Sequence, residues 1–324
     1  MYARSSKVLT IAAFTWAAFI LLVGSGLAQS TSSNDTGTEA KAALQNQQPT
    51  VDTSKYIGSE SCKKCHEFLF KGFERTKHFQ LVSDTRRGQA FQGCEGCHGP
   101  GRAHVESGGD PQKIRSFKNI LTDAKKTSQW CLNCHQYESE HNNFARSPHM
   151  SANVGCLDCH SVHHANVAVH LLSSEQPQLC IHCHKNVSSE FDRPFRHPVN
   201  EHLISCTDCH NQHGGSNAHM LRSAAGQAEI CTKCHTAMAG PFAFEHSPIK
   251  LEGCISCHVP HGSSNPRLLT RPEVNQLCLE CHTFTTNSIV KAPPSFHNQL
   301  QQYQACTMCH VQVHGSHSDR YFFR

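Results

Sequence analysis

Cys156-Leu157-Asp158-Cys159-His160, Cys206-Thr207-Asp208-Cys209-His210 and Cys254-Ile255-Ser256-Cys257-His258 are three copies of one pentapeptide, Cys-x-x-Cys-His. Working outward, the same signature stands at Cys62, Cys65 and His66; at Cys94, Cys97 and His98; at Cys131, Cys134 and His135; and at Cys180, Cys183 and His184. It returns at Cys231, Cys234 and His235; at Cys278, Cys281 and His282; and at Cys306, Cys309 and His310. Ten copies use all 20 cysteines, where chance at this composition gives about 0.1 copy. Two thiols three residues apart reach the two vinyl groups of one porphyrin, and the adjacent imidazole meets the iron, so the motif reads as covalent c-type haem attachment. Structural zinc gives no reason for a histidine directly after every second cysteine. Disulfides leave it equally unexplained, and a thioredoxin-like Cys-x-x-Cys occurs once on a βαβ pattern.

The remaining histidines are patterned too. His78, His149, His197, His246 and His297 lie 12, 14, 13, 11 and 15 residues after the proximal histidine of an odd-numbered motif. A dozen residues extend at most about 40 Å, enough to wrap from one haem face to the other. His104, His163, His213, His261 and His314 lie 6, 3, 3, 3 and 4 residues after the even-numbered ones. Side chains at i and i+3 sit on one face of a helical turn, whereas two axial imidazoles approach an iron from opposite sides. His163 therefore cannot complete the haem that His160 holds. The short-spaced set is expected to serve a neighbouring haem, with the long-spaced set completing the odd haems and the short-spaced set the even ones by exchange between modules. Seven histidines are left over, His141, His164, His170, His182, His202, His219 and His317, read as solvent-facing or packed near propionates, with His164 and His202 as substitutes. Met150, Met220, Met238 and Met308 are poor competitors for ligation, and His/His ligation favours low potentials.

With 324 residues, 38% hydrophobic, two tryptophans, five tyrosines and a mean hydropathy of -0.46, the chain cannot build a large conventional core. There is no glycine period, heptad or second long apolar run, which excludes collagen, coiled coil and multi-span membrane protein. About 26 residues per motif from Cys62 onward cannot wrap each haem in its own pocket, so the porphyrins must stack. Proline and glycine turns between motifs predict short helices separated by irregular loops. Five two-haem modules recur at about 50 residues. The long first interval carries Ile114, Phe117, Ile120 and Leu121 at near-helical spacing between Asp110 and Trp130, predicting a solvated amphipathic helix over the first haems.

Arg4 and Lys7, the uncharged stretch 8–23 and small residues up to Ala28 read as a Sec-type signal peptide over residues 1–28. An uncleaved anchor is the alternative, although sixteen residues fall short of a span of about 20. Residues 29–55 read as a flexible linker and 56–324 as the decahaem domain. The formal charge of +4 loses about two with the signal peptide, and ten haems would add twenty propionates, so nucleic-acid binding is not implied.

The stretches Gly240-Pro241, Glu245-His246-Ser247-Pro248, Gly253 to Ser263, Leu277 to His282 and Cys306 to Ser316 resemble the DmsE/MtrA-type periplasmic decahaem cytochromes, as does His197-Pro198 followed by Cys206 to Gly214. The resemblance runs from Cys62 to His314; the tail from Asp319 and the long first interval fall outside it. It implies an elongated multihaem cytochrome c fold of few short α-helices and mostly irregular loops wrapped around a stacked haem chain, with no sizeable β-sheet. It further implies an exported electron carrier on bis-histidine haems at the periplasmic side of the outer membrane. Its partners would be an inner-membrane or periplasmic cytochrome, an outer-membrane β-barrel porin, and an extracellular multihaem cytochrome or reductase. The alternatives are a multihaem reductase with one open haem, which no variant attachment motif announces, and a freely diffusing periplasmic shuttle.

Overall fold

The computed structural model describes residues 51–120, 123–222, 227–282 and 303–323. The expected signal peptide, nearly all of the linker, and His297 lie outside the described residues. Asp52–Arg324 form one unit. Its helices are short: Ala124–His135 has 12 residues, Glu67–Glu74 has eight, and the other described helices have four to seven. The sheet is one antiparallel pair, β1 (Phe195–Arg196) with β2 (Gly262–Ser263), in the register Phe195 to Ser263 and Arg196 to Gly262. Loops join the rest. No helix among the described residues is long and apolar enough to cross a membrane.

Each attachment motif is itself a turn of helix. The histidine N–H donates to the carbonyl of the first cysteine at 2.9–3.0 Å at His66, His160, His184, His210, His235, His258, His282 and His310. This places both thiols and the imidazole on one side of the turn. Acidic residues inside two motifs cap their own helices: Gly155 N–H donates to Asp158 at 2.6 Å and Ser205 N–H to Asp208 at 2.7 Å. Serines of the odd motifs cap the even ones across space, with Cys94 N–H donating to Ser59 Oγ at 3.1 Å and Cys156 N–H to Ser128 Oγ at 3.2 Å. Both serines are buried, Ser128 completely.

Apolar side chains contribute little interior. Among the described residues Phe70, Phe73, Ala124, Phe144, Phe191, Val199 and Ile230 are the buried apolar set. The one local cluster is Phe70 and Phe73, each edge-on to Phe79 at 5.8 Å. Hydrogen-bonded hubs stand in for a core. Glu95, inside the second motif and only 4% exposed, accepts from the backbone N–H groups of Ile57 (3.1 Å), Gly58 (2.8 Å) and Gly101 (2.7 Å). One carboxylate thus ties the entry of the first module to both sides of its second motif, in charge-assisted bonds.

The long first interval differs from the expected amphipathic helix. Pro111–Lys113 and Phe117–Ile120 are single 3-10 turns, and the helix begins only at Ala124, where Asp123 accepts from Lys126 N–H at 2.9 Å. Arg115 explains the break, because its backbone is drawn out of any helix to clasp the second motif. Its N–H donates to the His98 carbonyl at 3.0 Å, its own carbonyl accepts from His98 Nδ1 at 2.8 Å, and its side chain donates to the Cys97 carbonyl. The guanidinium then lies 3.2 Å above the Trp130 ring.

Replacing Glu95 by alanine leaves three backbone donors without their acceptor. We expect a loss of about 2 kcal/mol or more, read as a lower urea midpoint at unchanged haem content.

Candidate haem centres

All twenty motif cysteines, all ten proximal histidines, and every expected distal histidine except His297 line one continuous cavity of about 5520 Å³. Shared among ten motifs this is roughly 550 Å³ each, inside the range of about 300–1,000 Å³ for a single cofactor site.

Within the cavity the histidines face one another in pairs. His66 faces His104 with ring centres 6.3 Å apart, His98 faces His163 at 6.1 Å, and His160 faces His213 at 6.1 Å. His210 faces His261 at 6.1 Å and His258 faces His314 at 6.2 Å. His135 faces His78 at 5.9 Å, while His184 with His149, His235 with His197 and His282 with His246 stand at 6.2 Å. Two imidazoles that hold one metal through nitrogens at about 2.0–2.1 Å have ring centres roughly 6.3 Å apart, so the residues fit an iron between each pair.

The partners come from different modules. The short-spaced His163, His213, His261 and His314 each reach back to the even motif of the preceding module, and the long-spaced His78, His149, His197 and His246 reach forward to the odd motif of the next. His104 departs from the expected rule, since it faces His66 of an odd motif. At this centre the nearest short-spaced histidine takes the place that a long-spaced one fills at the third, fifth, seventh and ninth. His297, the remaining expected distal histidine, lies outside the described residues.

Ring orientation is set through Nδ1, whose acceptors leave Nε2 for the metal. Backbone carbonyls take this role for His98 (Arg115), His160 (His170), His210 (His219), His258 (Arg267) and His310 (Tyr321), at 2.5–2.8 Å. They do so as well for His104 (Asp110), His149 (Gln212) and His197 (Pro260), at 2.5–2.9 Å. Three of the proximal cases share a hairpin in which two consecutive residues have positive φ: His170-Leu171, His219-Met220 and Arg267-Leu268, at 54–60°. The next leucine bridges back to the motif histidine, pairing Leu172 with His160, Leu221 with His210 and Leu269 with His258. His170 and His219 thereby act through their backbones. Two carboxylates complete the set: Glu138 lies 2.9 Å from His135 Nδ1, and Glu190 lies 2.9 Å from His261 Nδ1.

Burial lowers the pKa of His78, His98, His160, His163, His210, His246, His282 and His314, and pushes His213 down to about 3, helped by neighbouring His141 and His160. Every one of these is an expected ligand, and the neutral imidazole is the form that binds a metal. Of the leftover histidines, His141 packs 4.3 Å from His213 and lies 3.1 Å from Glu138. His164 stacks on Phe68 at 4.4 Å, His202 Nδ1 meets the Gln176 carbonyl at 2.9 Å, His317 lies against Phe242, and His182 is exposed. The tail packs on the last centres: Phe323 stacks on His310 at 4.8 Å and Phe322 lies edge-on to His246 at 5.5 Å.

Close backbone approach brings the short-spaced histidines into place. Gly262, next to His261, lies where a Cβ would overlap the Glu190 carbonyl oxygen. At the equivalent step after His163 the residue is His164, and the glycine sits on the opposing element instead, as Gly72, where a Cβ would overlap the His163 carbonyl. Neither glycine's role is visible without knowing the partner element.

Successive motifs meet through their sulfurs. The first thiols pair within each module: Cys62 with Cys94, Cys131 with Cys156, Cys180 with Cys206, Cys231 with Cys254 and Cys278 with Cys306. Between modules the second thiols are neighbours. Burial and then Cys134 raise the Cys97 pKa, burial and then Cys281 raise that of Cys257, and on Cys159 and Cys209 burial acts first, then Asp158 and Asp208, then Cys183 and Cys234. Neighbouring sulfurs thus link the ten motifs in strict chain order.

A family model for the doubled CXXCH motif matches residues 149–189, 197–240 and 246–286. Multiheme cytochrome MtrA of Shewanella baltica (strain OS185) is 34% identical over 268 residues, covering 80% of this chain and 78% of that protein. The chain belongs to the MtrA family of multihaem cytochromes. A more distant relative, Cytochrome c-type protein NrfB of Escherichia coli O6:H1 (strain CFT073), is 25% identical over 132 residues, 36% of this chain and 69% of that protein. As an MtrA-family member the chain transfers electrons through covalently bound c-type haems, in a fold of short helices and loops.

Two measurements check these centres. Gly262→Ala should displace His261 and convert one low-spin haem signal to high spin, whereas Gly215→Ala, whose Cβ would meet only the Leu221 carbonyl at 3.5 Å, should change nothing. Imidazole planes are within 13–18° of parallel in five pairs and 58–77° apart in those of His149, His197 and His78. Crossed planes leave the two π-type iron orbitals nearly degenerate, so electron paramagnetic resonance of the oxidised protein should show two classes of low-spin signal, and a single class would contradict the pairing.

Proposed function

We propose that this MtrA-family chain conducts electrons along ten covalently attached bis-histidine haems in chain order, at the periplasmic side of the outer membrane and within a porin-cytochrome conduit. The facing imidazole pairs carry the reading. Haem supplies reversible one-electron chemistry at its iron, and the residues of this chain do the rest. The motif cysteines fix the porphyrin edges, and the nearness of consecutive motifs sets each edge beside the next. The paired imidazoles would hold an iron from both sides, which would leave a substrate no coordination site and favour electron transfer over catalysis. Where Nδ1 has an acceptor the ring is held in orientation, so little rearrangement of that ligand accompanies a change of charge. His297 is the tenth expected distal ligand.

The export signal, with cleavage after Ala28, and the module boundaries belong to the same proposal: 1–28 removed, 29–55 a linker, 56–324 the conducting domain. The porin, an upstream periplasmic or inner-membrane cytochrome and an extracellular acceptor follow from the resemblance to periplasmic decahaem cytochromes.

Purified protein should contain ten haems per chain by pyridine haemochrome assay, all low-spin when oxidised, with no turnover of nitrite or hydroxylamine. Embedded with its barrel partner in liposomes, it should reduce an internal dye from an external donor. A high-spin haem with turnover would favour a reductase, and failure to associate with any barrel would favour a soluble shuttle.

A further inference from the structure

Most Nδ1 partners of the paired histidines are backbone carbonyls, which are neutral. Two are anions. Glu138, three residues beyond His135 and just past the end of its helix, places Oε1 2.9 Å from that ring's Nδ1, at the third centre. Glu190, on the helix Lys185–Phe191, places Oε2 2.9 Å from Nδ1 of His261, the partner of His210 at the sixth centre. Glu190 is not there by side-chain chance. The close approach of Gly262 to its carbonyl sets its backbone, Arg193 donates across to the Gly262 carbonyl at 3.0 Å, and Phe191 packs 5.2 Å from the His261 ring.

An imidazole whose N–H is shared with a carboxylate becomes a more basic ligand, and charge-assisted hydrogen bonds are roughly twice as strong as neutral ones. A more basic axial ligand favours the ferric over the ferrous iron. We propose that Glu138 and Glu190 are positioning residues that make the third and sixth centres harder to reduce, so that electrons cross a raised step at each. The inference rests on the bis-histidine reading above. Glu190 has the stronger hold. Its side chain is 29% exposed against 55% for Glu138, so water screens it less.

The test is an optically monitored redox titration of the full-length, haem-loaded protein. In Glu190→Gln, about one tenth of the absorbance change should move to higher potential by about 59 mV, a tenfold gain in the ferrous to ferric ratio for one electron. Glu138→Gln should move a second tenth in the same direction by less, and it carries the test alone if the first variant fails to fold. Glu190→Asp keeps the charge but withdraws the oxygen by one methylene, and should retain most of the shift seen with glutamine. All variants should stay low-spin. Titrations superimposable on wild type in both glutamine variants would overturn the proposal, and so would an aspartate variant identical to wild type, which would leave only a through-space charge effect. Failure of the underlying ligand reading looks different, because high-spin haem would then appear in the unmutated protein.

Discussion

An iron capped by two imidazoles must receive them from opposite faces, and a histidine three residues beyond the first cannot cross the porphyrin to do so. That constraint organises the chain. Each even centre from the second to the eighth draws its second histidine from the following module, and each odd centre after the first draws it from the preceding one. The modules are therefore stitched together through their proposed metal sites, and a chain with seven buried apolar residues among those described needs no larger side-chain core. The two-residue strands that pair Arg196 with Gly262 are a by-product of the same stitch, because they form where His197 and His261 pass each other.

Conformational strain is placed where it serves these sites. Paired positive-φ residues such as His219-Met220 cost roughly 1–2 kcal/mol each in left-handed geometry. In return the hairpin turns a carbonyl onto Nδ1 of the motif histidine and closes backbone bonds from Asn211 to Met220 and from Arg222 to Cys209. Its recurrence at three even motifs shows that the ring orientation is built by the backbone, which is why Arg267 can occupy the structural position that His170 and His219 hold in the other two.

Spacing made much of this readable beforehand. The Cys-x-x-Cys-His copies, the histidines three residues after them and the five-fold repeat are local patterns, and they carried the fold class and the expectation that ligands are exchanged between modules. The direction of exchange was not local. It depends on which element passes Gly72 or Gly262, positions tens of residues away from their partners in sequence. Glu138 was within reach, standing three residues after His135 in a turn-like stretch, but Glu190 lies 71 residues from His261 and offered no signal. The interval after Asp110 misled because its apolar spacing fits a helix, whereas Arg115 is held extended by its bonds to His98. Phe322 and Phe323 belong to a tail that no repeat describes.

The asymmetry between the two kinds of centre also bears on how the molecule can be assembled. A polypeptide appears N-terminus first. By the time His135, His184, His235 or His282 emerges, its facing histidine is already present upstream. His98, His160, His210 and His258 must wait for roughly fifty further residues before theirs arrives. During maturation half of the row would thus pass through a stage with one axial ligand missing, and each newly delivered segment would seal the one made before it.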